Sequence, residues 1–306
     1  MRFFLTGATG FIGRTLVRRL LEEGHTASAW VRSPPSASAT LGPAVTLCPT
    51  SAGPDALAKA LAAADAVINL AGEAVLPRPW TKTRRAAIWN SRVETTQTLV
   101  QAIAAAHPRP KVLVSASGVN YYGDAGAGWL DEDSPPGTGF LSELTQAWEG
   151  AARKAEGLGV RVVRLRSGVV LGRGGGALHT MLPFFRMGLG GPLGDGAQYF
   201  PWIHLEDKIE ILVRAAADAR WGGAFNAVAP EAVTMAAFAR AVGRALSRPV
   251  FLRVPKFALS LTLGEAKSAL LASLRVRPRR LSELGFGWRF PTLDGALQEI
   301  LPVQKG

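Results

Sequence analysis

The chain has 306 residues, of which 48% are hydrophobic and 19% charged, and a formal net charge of +12 at pH 7. That length suits one large folded domain with room for a smaller one, and no uncharged apolar run approaches the ~20 residues that a membrane span needs. The basic residues, mostly arginine, are scattered and rarely alternate with aromatics, which argues against a nucleic-acid partner, and the single cysteine, Cys48, excludes an intrachain disulfide and fits a reducing, cytoplasmic setting.

Arg2 to Leu5 reads as a short buried strand, and Gly7, Gly10 and Gly13 follow at G-x-x-G-x-x-G spacing before an amphipathic helix, Arg14 to Glu23. A strand turning sharply into a helix leaves the amides of the first turn unpaired at the positive end of the helix dipole, where a diphosphate binds well. Strand, glycines and helix in that order are the context that gives such a trio its dinucleotide-binding meaning. The same opening puts a glycine turn and a charged helix where a signal peptide would carry its apolar stretch.

The second strand is expected at Ala27 to Val31, with Arg32 at its end, where the adenosine ribose lies in a dinucleotide fold. No Asp or Glu occurs between Glu23 and Asp55, so the charge at this point favours NADP over NAD. Arg32 is either the 2′-phosphate contact or a surface residue at a loop start. Ser33 to Pro43 reads as a loop, Val45 to Leu47 as a third strand, and Pro54 to Ala63 as a helix. Asp65 to Gly72 reads as a buried parallel strand whose end, Asn69, Leu70, Ala71, Gly72 and Glu73, should border the cofactor.

A loop with Arg78 and Trp80 precedes one long predicted helix, Thr83 to Ala106, that carries Arg92. Lys111 to Ser115 is a strand leading to Ser117, Tyr121 and Tyr122, and Phe140 to Ala155 is helical. Val160 to Leu165 is a strand, followed by a glycine-rich loop, Ser167 to Gly176. The stretch 171–201 has the composition of a mobile flap over a substrate pocket. Tyr199 to Ile203 is extended, Leu205 to Ala217 helical, Ala224 to Val228 a strand, and Thr234 caps a helix, Met235 to Leu246. The remainder, Phe257 to Leu301, reads as mostly helical with a basic turn in its middle, Arg275, Arg277, Arg279 and Arg280, as a solvated or interface face. Strand and helix alternation specifies an α/β fold, a Rossmann-type doubly wound parallel sheet. Residues 1–170 and 201–230 are assigned to that domain, and 171–200 with 231–306 to a smaller substrate-side domain.

Thr6-Gly-Ala-Thr-Gly-Phe-Ile-Gly13, Asn69-Leu-Ala-Gly72, Ser117 with Tyr121-Tyr-Gly123, and Pro201-Trp-Ile-His-Leu-Glu-Asp207 together resemble the extended short-chain dehydrogenase/reductases, including the NAD-dependent epimerase/dehydratases of nucleotide sugars. More narrowly, Arg166-Ser-Gly-Val-Val-Leu-Gly-Arg-Gly-Gly-Gly176, Gly188-Leu-Gly-Gly-Pro-Leu-Gly194 and Phe286-Gly-Trp-Arg-Phe-Pro-Thr-Leu293 resemble an atypical epimerase-family branch whose C-terminal domain has no assigned function. The resemblance spans essentially the whole chain and implies NADP as cofactor. With the motif readings, it nominates Gly7, Thr9, Gly10, Phe11, Ile12 and Gly13 for the diphosphate turn and Val31 and Arg32 for the adenosine end. Asn69, Leu70, Ala71, Gly72, Arg92, Ser115 and Val170 are nominated for the rest of the cofactor.

The chain departs from that family at its catalytic pair, Tyr-x-x-x-Lys, in which lysine lowers the tyrosine pKa and bonds the nicotinamide ribose. The residues four beyond Tyr121, Tyr122 and Tyr199 are Ala125, Gly126 and Ile203. At the expected helix the equivalent positions are Leu141 and Thr145, and Arg92 stands where the family places an Asn. The catalytic candidates are Ser117, Tyr121 and Tyr122, with Glu73, Glu143 and His204 as further proton-carrying groups near the predicted cleft. Each also has a structural reading: the tyrosines as pocket walls, Glu143 as a surface charge, His204 as a hydrogen-bonder at a helix start.

The four histidines are too dispersed for a metal cluster readable in the sequence, and neither a Walker lysine nor a G-x-S-x-G elbow occurs. Two functions are consistent with these residues. One is an NADP-dependent oxidoreductase or epimerase acting on an unidentified small molecule without the Tyr-Lys pair. The other is a cofactor-binding sensor or regulatory protein without turnover. An oligomer is left open.

Overall fold

The computed structural model of the chain describes residues 1–301. In chain order, β1 (Arg2–Thr6) leads into α1 (Phe11–Glu22), β2 (Thr26–Val31) into α2 (Pro34–Leu41), and β3 (Val45–Pro49) into α3 (Gly53–Ala62). β4 (Ala66–Asn69) precedes α4 (Lys82–Asn90) and α5 (Val93–Ala105); β5 (Val112–Gly118), the short β6 (Trp129–Leu130) and α6 (Phe140–Arg153) follow. Then come β7 (Arg161–Ser167), β8 (Val169–Leu171), α7 (Gly176–Arg186), β9 (Trp202–His204), α8 (Leu205–Ala217) and β10 (Gly223–Ala227). The rest is α9 (Met235–Ala245), α10 (Lys256–Leu263), α11 (Ser268–Leu271), β11 (Arg275–Val276), α12 (Arg279–Glu283) and α13 (Leu293–Ile300).

Seven of these strands form one parallel sheet in the order β10-β7-β5-β4-β1-β2-β3, the doubly wound Rossmann-type arrangement that the alternation predicted. All four residues of β4 are buried, as a central parallel strand covered on both faces requires. Successive residues of β1 serve opposite faces: Phe3 and Leu5 pack with α1 and α8, while Phe4 packs with α3, α5 and α6. A second apolar cluster joins β8, α7, β9, α9 and α13 through Leu178, Phe185, Trp202, Phe238 and Leu297. No helix among the described residues is long and apolar enough to cross a membrane.

Three expectations are corrected. The predicted loop Ser33 to Pro43 contains α2, which opens on Pro34, a residue tolerated where the first amide has no helical acceptor, and ends at Gly42. The single long helix is two, α4 and α5, divided at Ser91 and Arg92, where the Arg92 amide donates to the Trp89 carbonyl instead of continuing the helical ladder. The segment expected as a flap contains α7, whose Leu178, Leu182 and Phe185 are buried in the second cluster. The glycine-rich loop before it also contributes β8, which pairs with β9.

The basic turn near the C-terminus is neutralised within the chain. Arg277 pairs with Asp131 at 2.6 Å, Arg280 with Asp133 at 2.8 Å, and Arg279 also with Asp133. Arg275 lies over the rings of Trp129 and Tyr199. With the parallel pairing of β11 and β6, these contacts fasten the C-terminal segment to the loop after β5.

Candidate functional site

The site begins where β1 turns into α1. Gly7 has a φ of +67°, and a side chain there would come within 2.6 Å of the Leu70 carbonyl oxygen. A Cβ on Gly13 would lie 2.2 Å from the Gly7 oxygen, so this helix residue and the turn touch backbone to backbone. Gly10 is the N-cap of α1 and supplies no side-chain cap. The amides of Phe11 and Ile12 therefore face outward without a helical acceptor, as the first turn of any helix leaves them. Two crowded glycines thus present unpaired N–H groups at the positive pole of the helix.

This turn forms one wall of a cavity of about 370 Å³ at the C-terminal ends of β1, β4, β5 and β7. Of the predicted residues, Gly7, Gly10, Phe11, Ile12, Gly13, Leu70, Gly72, Arg92, Ser117 and Val170 line it. A larger cavity of about 710 Å³, bordered by Arg14, Thr40, His204 and Glu299, lies on the other side of α1 and lacks the glycine turn. The smaller one is therefore the candidate site.

Arg92 forms part of its wall. Its guanidinium donates to the Ile88 carbonyl at 3.2 Å, lies 5.4 Å from the Trp148 ring and approaches Gly72 closely. Burial lowers its pKa to about 10, only partly offset by Glu73, so it stays cationic at neutral pH. No carboxylate lies within ion-pairing distance among the described residues, since Glu73 is paired with Arg84 at 2.9 Å. Arg32 is exposed at the end of β2 beside the buried Val31, outside the cavity lining, and has no ion-pair partner among the described residues.

Several predicted residues lie under or beside the cavity rather than on its surface. Asn69 is fully buried; its Oδ1 accepts from Thr6 Oγ1 at 2.6 Å, and its Nδ2 donates to Thr96 and Ser115. Thr6 Oγ1 in turn accepts from the Ala71 amide at 3.1 Å. Asn69, Ser115 and Ala71 therefore knot the floor together, and Thr9 and Val31 also fall outside the lining.

The proposed proton-carrying groups separate in the same way. Ser117 faces the cavity, and its Oγ donates to Glu149 at 2.7 Å. Glu149 is buried and ion-paired with Arg166 at 2.8 Å and Arg164 at 3.3 Å. Tyr122 is not brought to the cavity: its hydroxyl donates to Asn226 at 2.7 Å and accepts from Arg166, and burial pushes its pKa up to about 12. Tyr121 stacks its ring 3.5 Å from the Arg166 guanidinium, also outside the lining. Glu143 is exposed on α6. His204 caps α8, its Nδ1 accepting from the Glu206 amide, while Nε2 meets Glu299 at 3.1 Å; burial lowers its pKa.

Leu141 and Thr145, the residues in place of the Tyr-Lys pair, both line the cavity, and Thr145 donates its hydroxyl back to the Leu141 carbonyl. That wall is consequently inert toward proton transfer. The sequence reading missed Glu149, Ser167 and Lys208. Lys208 is fully buried, lines the cavity, and donates from Nζ to Ser167 Oγ at 2.6 Å. Arg92 and Lys208 are the only ionisable side chains among the described lining residues.

The surroundings fit a dinucleotide: unpaired helix amides, two cations without carboxylates, and apolar walls. Comparison with known proteins agrees. Residues 3–228 match the model of the NAD dependent epimerase/dehydratase family, and residues 254–300 match a domain of unknown function. The human epimerase family protein SDR39U1 is 41% identical over 98% of this chain and 100% of its own length. Its Bacillus subtilis relative, epimerase family protein YfhF, is 32% identical over 100% of this chain and 99% of its own. A crystal structure of the human protein with NADPH superposes with a TM-score of 0.88, covering 98% of this chain and 99% of that one. A chloroplastic SDR39U1 homologue of Arabidopsis thaliana is 39% identical over 98% of this chain and 87% of its own.

Proposed function

The chain belongs to the NAD dependent epimerase/dehydratase family, and on that premise we propose that it binds NADP(H) in the cavity beside α1 and acts on a small, unidentified carbonyl or hydroxyl compound as an oxidoreductase or epimerase. The observation that carries this reading is the unbalanced charge of the cavity. Its glycine turn offers helix amides, and Arg92 and Lys208 line it with no carboxylate among the described lining residues. An anionic dinucleotide supplies the missing charge. Under this reading, Arg92 contacts phosphate or ribose and exposed Arg32 takes the 2′-phosphate. The bound cofactor would contribute hydride exchange at the nicotinamide ring.

The residues of the chain perform the remaining work. Ser117 already donates its proton to Glu149, so its free lone pairs face the cavity and accept from a substrate hydroxyl. Glu149, gripped by Arg166 and Arg164, keeps Ser117 in that orientation. Asn69 and its hydroxyl partners hold the ends of β1, β4 and β5 in register beneath the cofactor. Leu141, Leu144 and Trp148 exclude water on the opposite side. The second apolar cluster and the segment after residue 230 would close the substrate side, and the single buried cysteine suits a reducing compartment.

A second reading, a sensor that holds NADP(H) without turnover, is favoured by one feature. Leu141 and Thr145 replace an acid/base pair, and both flanking tyrosines have their rings or hydroxyls committed to Arg166. Incubating the protein with NADPH and a panel of sugars, aldehydes and ketones separates the two. Turnover seen as absorbance loss or as an epimerised product, and reduced in Ser117→Ala, supports the enzyme. Tight binding with no product across the panel supports the sensor. Absence of binding to either nicotinamide dinucleotide would reject both.

A further inference from the structure

Lys208 is unusual for its kind, a fully buried lysine in the first turn of α8. Its ammonium has one hydrogen-bond partner among the described residues, the Ser167 hydroxyl at 2.6 Å, and no carboxylate within 4 Å. The positive pole of α8 adds to the electrostatic cost of a cation there. An isolated buried ammonium is expensive and is retained where something compensates it.

Its place in the cleft is informative. Ser167 ends β7, beside β5, on the half of the sheet beyond β4. In a doubly wound fold the adenosine lies over the first three strands and the second nucleotide over the other half. Lys208 therefore stands on the nicotinamide side, across the glycine turn from Arg32. The oxidised nicotinamide ring carries a positive charge that the reduced ring lacks.

The charged groups on the elements packed against α8 are otherwise engaged. On α8 itself, Asp207 accepts from the Arg289 and Phe290 amides, and Glu210 pairs with Arg214. The Glu206 carboxylate acts on Arg19 and His204, and the Nε2 of His204 meets Glu299. On α1, Arg14 donates to the Gly174 carbonyl, Arg18 pairs with Glu22, and Arg19 with Glu23 and Glu210. β4, β5 and β8 present no ionisable side chain to α8. On β7, Arg161 donates to the Ala215 and Ala216 carbonyls and Arg164 and Arg166 are bound to Glu149, while Arg92 lies on another wall of the cavity.

We propose that Lys208 sets which redox form of the cofactor this protein holds: its buried ammonium, bonded to Ser167 in the nicotinamide half of the cleft, disfavours the cationic oxidised ring and favours the neutral reduced one. This rests on the cofactor reading above and specifies it. Burial lowers the lysine pKa to about 7, so the preference is adjustable near neutral pH. The diphosphate common to both redox forms draws the proton back onto the amine in either complex. The ring charge is the difference between them.

The test is a pair of equilibrium titrations, NADPH by fluorescence and NADP⁺ by calorimetry, on the full chain at pH 6, 7.5 and 9. The wild type should prefer NADPH, and Lys208→Met should reduce the NADPH-to-NADP⁺ affinity ratio roughly tenfold at pH 6, as two unit charges within one site imply. The wild-type ratio should also fall as pH rises and the ammonium is lost, while that of Lys208→Met stays flat. Ser167→Ala, which leaves the ammonium without its partner, should move the wild-type pH midpoint downward and provides the test should Lys208→Met fold poorly. Equal losses for both dinucleotides, or a ratio untouched by pH and by both substitutions, would overturn the proposal while leaving cofactor binding intact. If the wild type binds neither form, the cofactor reading falls first.

Discussion

Arg32, exposed at the end of β2, and Lys208, buried beside the cavity, are two cations whose surroundings make them behave differently. Arg32 is exposed and has no ion-pair partner among the described residues, so its contribution depends on what it meets. If Arg32 takes the 2′-phosphate as proposed, Arg32→Glu should weaken NADP⁺ binding roughly a hundredfold and NAD⁺ binding by less than about threefold. Parallel titrations check this, and equal losses would place the 2′-phosphate elsewhere. Lys208 is sealed from water, so it also affects folding. Its pKa is about 7 in the fold against the ordinary 10.5, so the unfolded chain holds more protons across that interval. Stability without cofactor should therefore rise with pH from about 7 to 10, as the buried amine is relieved of its charge. Lys208→Met has no such penalty, so it should be the more stable protein at pH 7, and its advantage should shrink towards pH 10. Urea midpoints for both proteins at three pH values decide it; parallel curves would mean that the ammonium is compensated within the fold.

At the scale of elements, α1 and the turn before it tolerate little. Gly13→Ala would drive a methyl into the Gly7 carbonyl, so the turn must open. We expect a loss of about 1–3 kcal/mol in stability and of most NADPH affinity, measured by denaturation and by titration; unchanged affinity would show that the diphosphate does not rest on this turn. This element was legible in the sequence because its glycines, strand and helix are local features. The sheet strands were legible too, since buried parallel strands read as apolar runs, and α8 runs from Leu205 to Ala217 as periodicity gave it. Other elements lacked a local signal. α2 is built of Pro, Ser and Ala with no apolar stripe, and the break at Arg92 has neither Pro nor Gly to announce it. Lys208 follows Asp207 on an amphipathic helix and reads as solvated, and Glu149 on α6 reads the same way. Each is buried by a strand end distant in sequence, Ser167 for one and Ser117 with Arg166 for the other. The tyrosine pair lies off the cavity lining for the same reason, because its partner Arg166 comes from β7.

At the scale of the molecule, the sheet and the second apolar cluster meet along β9 and α8. Trp202 packs into the second cluster and Ile203 into the sheet core, while His204 caps α8 and reaches Glu299 on α13. The cavity lies almost wholly on the sheet side, with α1, β5, α6 and the loops after β1 and β4 supplying most of its wall. If the second cluster serves the substrate rather than the cofactor, damage to it should cost stability and spare NADPH binding. Phe238, fully buried in that cluster, is the place to separate the two. Phe238→Ala should cost about 3–5 kcal/mol, yet change the NADPH dissociation constant by less than about threefold. Saturating NADPH should offset part of that loss, since a ligand at a hundred times its dissociation constant adds about 2.7 kcal/mol to the state that binds it. Denaturation with and without NADPH, together with a titration of the folded variant, reads both quantities. A tenfold weaker affinity would mean that the second cluster holds the cofactor cleft in shape through β9 and α8, so that cofactor and substrate sides could not be treated as separable units.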